Sequence, residues 1–192
     1  MQITSGRLKG ASIGPVQYGG VRPTTDRMRQ AIFNALSHHI DFASPNVEVL
    51  DICAGTGALG LEAISRGAQR CIFVEKNALV AEAIRKTIEK CGVSKEESPI
   101  AVSDAIAFLQ GITSEKYPDD MPKQWNCIFC DPPYAARLLN PVTDAIIKNK
   151  ALKPGGLFVA EHDRIETITQ YSLTHLTTLS FGVTLVDIFQ SA

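Results

Sequence analysis

Val47-Glu48-Val49-Leu50-Asp51-Ile52-Cys53-Ala54-Gly55-Thr56-Gly57-Ala58-Leu59-Gly60 is the stretch that decides the fold. Val47–Ile52 is a short, largely apolar run of the kind that forms a buried strand. Leu59–Arg66, closed by Gly67, has helical character. Between them Gly55, Gly57 and Gly60 match Gly-x-Gly-x-x-Gly, and Glu75 follows Gly55 by 20 residues at the end of a second apolar run. Glycines at this spacing permit a tight turn and close backbone approach to a ligand, and the later acid accepts from ribose hydroxyls. A glycine pattern alone is weak. Set after a strand, before a helix and in step with the acid, it predicts a bound nucleoside.

Outward from this loop the chain alternates strands and helices. Strands are expected at Arg70–Val74, Ile100–Val102, Cys127–Cys130 (the end of the apolar run Trp125–Cys130) and Leu157–Glu161. Helices are expected at Ala78–Cys91, Ala105–Leu109 and Val142–Asn149, with a polar surface loop at 111–124. Leu176–Phe181 and Thr184–Phe189, separated by Gly182-Val183, read as a closing hairpin. This order implies an α/β protein with a seven-stranded, mostly parallel sheet and an antiparallel terminal hairpin. Residues 1–20 are glycine-rich and alternating, which predicts a small β-hairpin. A helix over Asp26–Leu36 follows, with Thr24 or Thr25 as N-cap. The expected division is an N-terminal extension over 1–40 and a nucleoside-binding domain over 41–192.

Composition excludes several classes. With 45% apolar and 20% charged residues among 192, the chain has the make-up of a soluble single-domain protein. It lacks the long apolar run of a membrane span and the apolar core of a signal peptide. Cys53, Cys71, Cys91, Cys127 and Cys130 include one close pair, Cys127-x-x-Cys130, but it lies inside an apolar strand, so core thiols in a reducing, cytoplasmic setting are expected. His38, His39, His162 and His175 form no metal-ligand grouping, and no metal is expected. The net charge of −1 is uneven: residues 1–40 carry five basic residues against Asp26 alone, a net +4, whereas the remainder carries 14 basic and 19 acidic residues, a net −5. A basic arm on an acidic body fits local contact with a polyanion.

Two further features narrow the chemistry. Asp51 stands just ahead of the glycine turn, where a carboxylate would oppose the pyrophosphate of a nicotinamide cofactor but suit the ammonium and sulfonium of S-adenosylmethionine. Asp104, ending the third strand, is placed to accept from an adenine amine or to N-cap the next helix. Asp131-Pro132-Pro133-Tyr134 then follows the fourth strand, at the sheet end where open α/β folds bind ligands. A carboxylate, a backbone stiffened by two prolines and an aromatic ring suit a flat base bearing an amino group. The Asp131 carboxylate and the Pro132 carbonyl would take its two N–H bonds, and Tyr134 would stack on the ring. No cysteine follows a proline, which argues against cytosine-carbon methylation. Such a base must be unpaired or flipped, and the basic N-terminal segment would hold the phosphates. These residues accommodate guanine-N2 or adenine-N6 chemistry, and a noncatalytic RNA-binding assembly factor would keep the same fold.

Several motifs in order resemble the RsmD family of bacterial small-subunit ribosomal RNA guanine-N2 methyltransferases. They are Ser5-Gly6-Arg7-Leu8-Lys9-Gly10, Arg22-Pro23-Thr24-Thr25-Asp26-Arg27, Asp51 through Ala68, Phe73-Val74-Glu75, and Asp131–Tyr134. The resemblance implies a Rossmann-like class I methyltransferase fold and methyl transfer from S-adenosylmethionine to the 2-amino group of one guanine in 16S rRNA. The implied substrate is the small ribosomal subunit or a late assembly intermediate. By position Asp51, Cys53, Gly55, Gly57, Glu75 and Asp104 fall at the cofactor, and Asp131, Pro132 and Tyr134 at the base. Arg7, Lys9, Arg22, Thr24 and Arg27 fall at the RNA. The chain departs from the family pattern at Ala11-Ser12-Ile13, where an arginine is frequent, at Cys53 and Thr56 in the loop, and at Phe181–Thr184. A monomer is expected.

Overall fold

The computed structural model describes residues 1–14, 25–166, 168 and 172–192. Its elements in chain order are α1 (Asp26–Leu36), β1 (Glu48–Ile52), α2 (Ala58–Ser65), β2 (Arg70–Glu75), α3 (Ala78–Lys90), β3 (Ile100–Val102), α4 (Ala105–Gly111) and β4 (Trp125–Cys130). A single 3-10 turn (Tyr134–Ala136) follows, then α5 (Leu139–Lys148), β5 (Leu152–Asp163), β6 (Leu173–Phe181) and β7 (Thr184–Ser191).

The seven strands form one sheet in the order β3-β2-β1-β4-β5-β7-β6. Pairs among β1 to β5 are parallel, whereas β7 runs antiparallel to both β5 and β6. Strand order reverses between β1 and β4, which opens a crevice at their carboxyl ends. The expected fold class is the observed one.

Side-chain alternation along each strand splits the core into two layers. Val49, Cys71, Phe73, Cys127, Phe129, Leu157 and Val159 pack with α1, α2 and α3. Leu50, Ile52, Ile72, Val74, Ile128, Cys130, Phe158 and Ala160 pack with α4 and α5. Cys127 and Cys130 therefore lie in opposite layers, and all five cysteines are free thiols. Burial drives the Cys127 thiol well above the usual range, so it is inert.

α2 is buried along its whole length because the N-terminal segment covers it. Thr4 donates its N–H (2.8 Å) and its hydroxyl (2.7 Å) to the Glu62 carboxylate, and the Arg7 N–H donates to the Ser65 carbonyl at 2.8 Å. At Gly6 (φ +80°) an added Cβ would lie 1.8 Å from the Ser65 oxygen, so only glycine permits this seat. Among the described residues the predicted N-terminal hairpin is one antiparallel bridge, Gln2 with Ser12, because residues 5–10 spend their backbone on turns and on α2. Positions 15–24, which include Arg22 and Thr24, lie outside the described residues. Thr25 is the N-cap of α1, its hydroxyl accepting from the Met28 N–H.

Several boundaries move, among them the start of β6, which lies at Leu173, three residues before the expected Leu176. β5 begins at Leu152, five residues before the expected Leu157, and carries Pro154-Gly155-Gly156 within it; Gly155 (φ +71°) absorbs the register shift between the Trp125 and Cys127 pairings. α5 begins at Leu139, accommodating Pro141 in its first turn, where a missing N–H costs nothing.

Candidate active site

The ends of β1, β2, β3, β4 and β5 surround a cavity of about 400 Å³ at the strand-order reversal. Asp51, Cys53, Gly55, Glu75, Asp104, Asp131, Pro132 and Tyr134 all line it. Gly57 does not. It sits behind the wall as the N-cap of α2 with φ 71°, the left-handed conformation that turns the chain into the helix.

At the glycine end, Asp51 is 2% exposed and its Oδ2 accepts from the Gly60 N–H at 2.9 Å. Burial in an apolar layer pushes its carboxyl up to about 8. The Gly60 bond opposes the rise, while Asp131 and Glu75 add to it. Gly60 must be glycine here: an added Cβ would lie 2.4 Å from Phe73 Cε1 and 2.6 Å from Cys71 Sγ. Cys53 turns the chain out of β1 with φ 58°, a conformation that costs a side-chain-bearing residue roughly 1 kcal/mol.

Glu75 closes the loop from the neighbouring strand. Its Oε2 accepts from the Gly55 N–H at 3.1 Å and its Oε1 from the Asn77 N–H at 2.9 Å, while the Asn77 amide oxygen caps α3. The carboxylate thereby fixes the loop, and each oxygen retains lone-pair capacity toward the cavity. Asp104 caps α4, its Oδ1 accepting from the Ile106 and Ala107 N–H groups at 2.9 and 3.2 Å, and it also faces the cavity. The N-cap reading of that residue is the observed one.

At the other end, Asp131 and the buried Pro132 leave β4, and Tyr134 opens the 3-10 turn. The Tyr134 hydroxyl lies 2.7 Å from Thr184 Oγ1 and 3.4 Å from Glu161 Oε1. Glu161, Thr184 and Val183 were not expected at the site. Glu161 lies near the carboxyl end of β5 beside Asp131, and Val183 brings the β6–β7 hairpin tip onto the cavity rim. No local motif marks them, because they meet Tyr134 only through the β4-β5-β7 strand order.

Among the described residues the cavity lining holds five acidic side chains, Asp51, Glu75, Asp104, Asp131 and Glu161, and a single cationic one, Lys76. Of the basic N-terminal residues, Arg7 pairs with Glu97 at the far end of α2, about 10 Å of helix away from the cavity, and Lys9 and Arg27 are exposed outside it. Arg29 is wholly buried, bonded to Glu62, Asp26 and the Gln2 carbonyl, so its guanidinium is not part of the basic surface expected of the N-terminal segment. Among the described residues no group of His, Cys, Asp and Glu could hold a metal, and no helix is long and apolar enough to cross a membrane.

Comparison with known proteins agrees with this geometry. A protein-family model described as Conserved hypothetical protein 95 matches residues 1–190. The chain is 31% identical over 194 aligned positions to the putative rRNA methyltransferase YlbH of Bacillus subtilis, covering 99% of this chain and 98% of that protein. It is 29% identical to ribosomal RNA small subunit methyltransferase D of Haemophilus influenzae, covering 100% and 94%. Among solved structures, the putative methyltransferase yhhF from Escherichia coli superposes with a TM-score of 0.79 at 25% identity, covering 100% of this chain and 97% of that one. A match along the entire described fold, loop and Asp131–Tyr134 turn included, means that the chain belongs to the RsmD family.

Proposed function

We propose that this protein transfers a methyl group from S-adenosylmethionine to the exocyclic N2 amine of a guanine in 16S rRNA of the small ribosomal subunit. The observation that carries the reading is the cavity joining the Asp51–Gly60 loop to the Asp131–Tyr134 turn, lined among the described residues by five acidic side chains and one lysine. A dinucleotide or nucleotide triphosphate would meet repulsion there, whereas a cationic donor would be drawn in. The names of the relatives, a putative rRNA methyltransferase and a ribosomal RNA small subunit methyltransferase, point the same way.

S-adenosylmethionine supplies an electrophilic methyl carbon, and the remaining work falls to the chain. Asp51 and Glu75 would receive the amino-acid and ribose parts, with Gly55, Gly57 and Cys53 shaping the loop and Asp104 facing the adenine. The guanine amine is a poor nucleophile because its lone pair is delocalised into the ring. The Asp131 carboxylate and the Pro132 carbonyl would each accept one of its N–H bonds, restraining the nitrogen and raising its negative potential. This is positioning with electrostatic stabilisation: the N–C bond would form as the S–C bond breaks to leave S-adenosylhomocysteine, and the nitrogen's surplus proton would pass to solvent. Tyr134, its hydroxyl tied to Thr184, would offer a fixed face for stacking, worth about 1–3 kcal/mol per base. In this reading residues 1–40 contact RNA through Arg7, Lys9, Arg22, Thr24 and Arg27, and residues 41–192 carry the chemistry. The protein acts as a cytoplasmic monomer on the subunit or a late assembly intermediate.

Incubation with labelled S-adenosylmethionine and small subunits from a strain lacking the enzyme, followed by nucleoside mass spectrometry, tests it. N2-methylguanosine is the expected product; N6-methyladenosine, or no transfer, overturns the proposal. Asp131→Ala should abolish turnover while cofactor binding survives.

A further inference from the structure

Asp131 is one of two carboxylates at the base end of the cavity. Glu161 is 6% exposed and lines the same end. β4 and β5 pair in parallel up to Cys130 with Ala160, so Asp131 and Glu161 are each one residue beyond the last pair, on adjacent strands. Adjacent strands lie about 4.8 Å apart, and side chains two steps apart share a face. Asp131 and Glu161 therefore leave the sheet side by side toward the layer of Phe129 and Val159. Glu161 Oε1 reaches to 3.4 Å from the Tyr134 hydroxyl, which places its carboxylate at the tip of the ring proposed to stack on the base.

Two acceptors side by side match one edge of guanine and not of adenine. Guanine presents an N1–H donor next to its 2-amino group, so three N–H bonds point from one edge. Adenine presents its 6-amino group beside an N1 lone pair, which a carboxylate repels. We infer that Glu161 is a specificity-determining residue that accepts the guanine N1–H while Asp131 and the Pro132 carbonyl hold the 2-amine. This rests on the reading of the site as a base-amine methyltransferase and supplies the choice of base that the Asp131–Tyr134 turn leaves open. A site built to bond a substrate N–H rejects the analogue lacking it by on the order of 10⁴-fold.

The probe is 2-aminopurine, which keeps the exocyclic 2-amine and replaces the N1–H by a lone pair. Small subunits are reconstituted with ligated rRNA carrying either guanosine or 2-aminopurine riboside at the mapped target, and single-turnover methylation is compared. The wild-type protein should prefer guanosine strongly. Glu161→Gln, whose amide can donate to N1, should narrow that preference at least tenfold, and Glu161→Asp, which retains an acceptor, should be slower on both substrates with the preference kept. Tyr134→Phe, which removes the hydroxyl contact alone, should slow both substrates alike. An unchanged preference in Glu161→Gln, an equal narrowing in Tyr134→Phe, or lost affinity for S-adenosylhomocysteine in Glu161→Gln overturns the assignment. Failure of the wild type to form N2-methylguanosine would instead overturn the underlying function, so the two failures are distinct.

Discussion

Replacing Asp51 by asparagine should stabilise the ligand-free protein and weaken cofactor binding, with a pH signature that identifies the cause. In the fold the carboxyl is buried and held up to about 8, against an ordinary 3.8. Between those values the unfolded chain gives up its proton while the folded one keeps it. The folded state then binds more protons, so the contribution of Asp51 to stability falls as pH rises. At about pH 7 the difference spans about three units, and at 1.36 kcal/mol per unit the carboxyl costs about 4 kcal/mol. Burial is nearly complete, so solvent screening does not reduce the figure further. Asparagine is nearly the same size, retains an acceptor for the Gly60 N–H and carries no ionisation cost. For a domain of this size about 4 kcal/mol corresponds to a melting-temperature gain of roughly 8–16 °C near neutral pH, shrinking to almost nothing toward pH ~4. The assay is thermal unfolding of both proteins across that range. Calorimetric titration with S-adenosylmethionine in buffers of different ionisation enthalpy complements it, since a cation beside Asp51 expels its proton in the wild type only. Melting curves that stay parallel from about pH 5 to pH 8.5 would refute the reasoning.

Other perturbations follow from the same contacts. Gly60→Ala drives a methyl group into Phe73 and Cys71, both fully buried, and should lower unfolding free energy in urea by about 1–3 kcal/mol while loosening the bond that orients Asp51. Arg29→Ala strands the Glu62 carboxylate in the interior. The expected cost is about 3 kcal/mol, at the lower end for a broken buried pair because Arg66 and Thr4 still bond Glu62, and denaturant melts read it. Arg27→Glu should weaken binding to small subunits and flatten its salt dependence by roughly one unit of log–log slope, measured by filter binding at several salt concentrations; an unchanged slope would remove Arg27 from the RNA surface.

What the sequence disclosed was local, and what it hid was not. The glycine loop and Glu75 are legible because loop and strand geometry tie Gly55 to the Glu75 carboxylate at a fixed spacing, and the hydrogen bond between them is present. Asp131–Tyr134 is legible because the turn is contiguous. Arg29 misleads, since its neighbours Arg27 and Asp26 are exposed and nothing near it in sequence announces a buried acid. Its partner Glu62 lies 33 residues later, within an otherwise apolar helix. Residues 152–156 misled in another way: Pro154-Gly155-Gly156 signals a turn, yet the strand passes through it as a bulge next to Trp125. Glu161 and Thr184 stand 27 and 50 residues from Tyr134, and only the placing of β5 and β7 after β4 brings them to its hydroxyl.

The same long-range arrangement explains why a fold shared with dinucleotide enzymes would serve a different ligand. In those enzymes a pyrophosphate takes the free N–H groups at the first turn of the helix after β1. Here the Gly60 N–H in that turn is already bonded to Asp51, and a second acid, Glu75, holds the Gly55 N–H in the preceding loop. Two of the donors an anion would need are thus occupied by carboxylates of the protein itself. An incoming pyrophosphate would have to displace them and then face Asp104, Asp131 and Glu161 across the cavity. A cation and a base edge rich in N–H groups meet the opposite situation, because each contact lowers the cost of carboxylates already buried there. Free energy spent on burying these acids is therefore recovered on binding, and the Asp51→Asn experiment measures the share that belongs to Asp51.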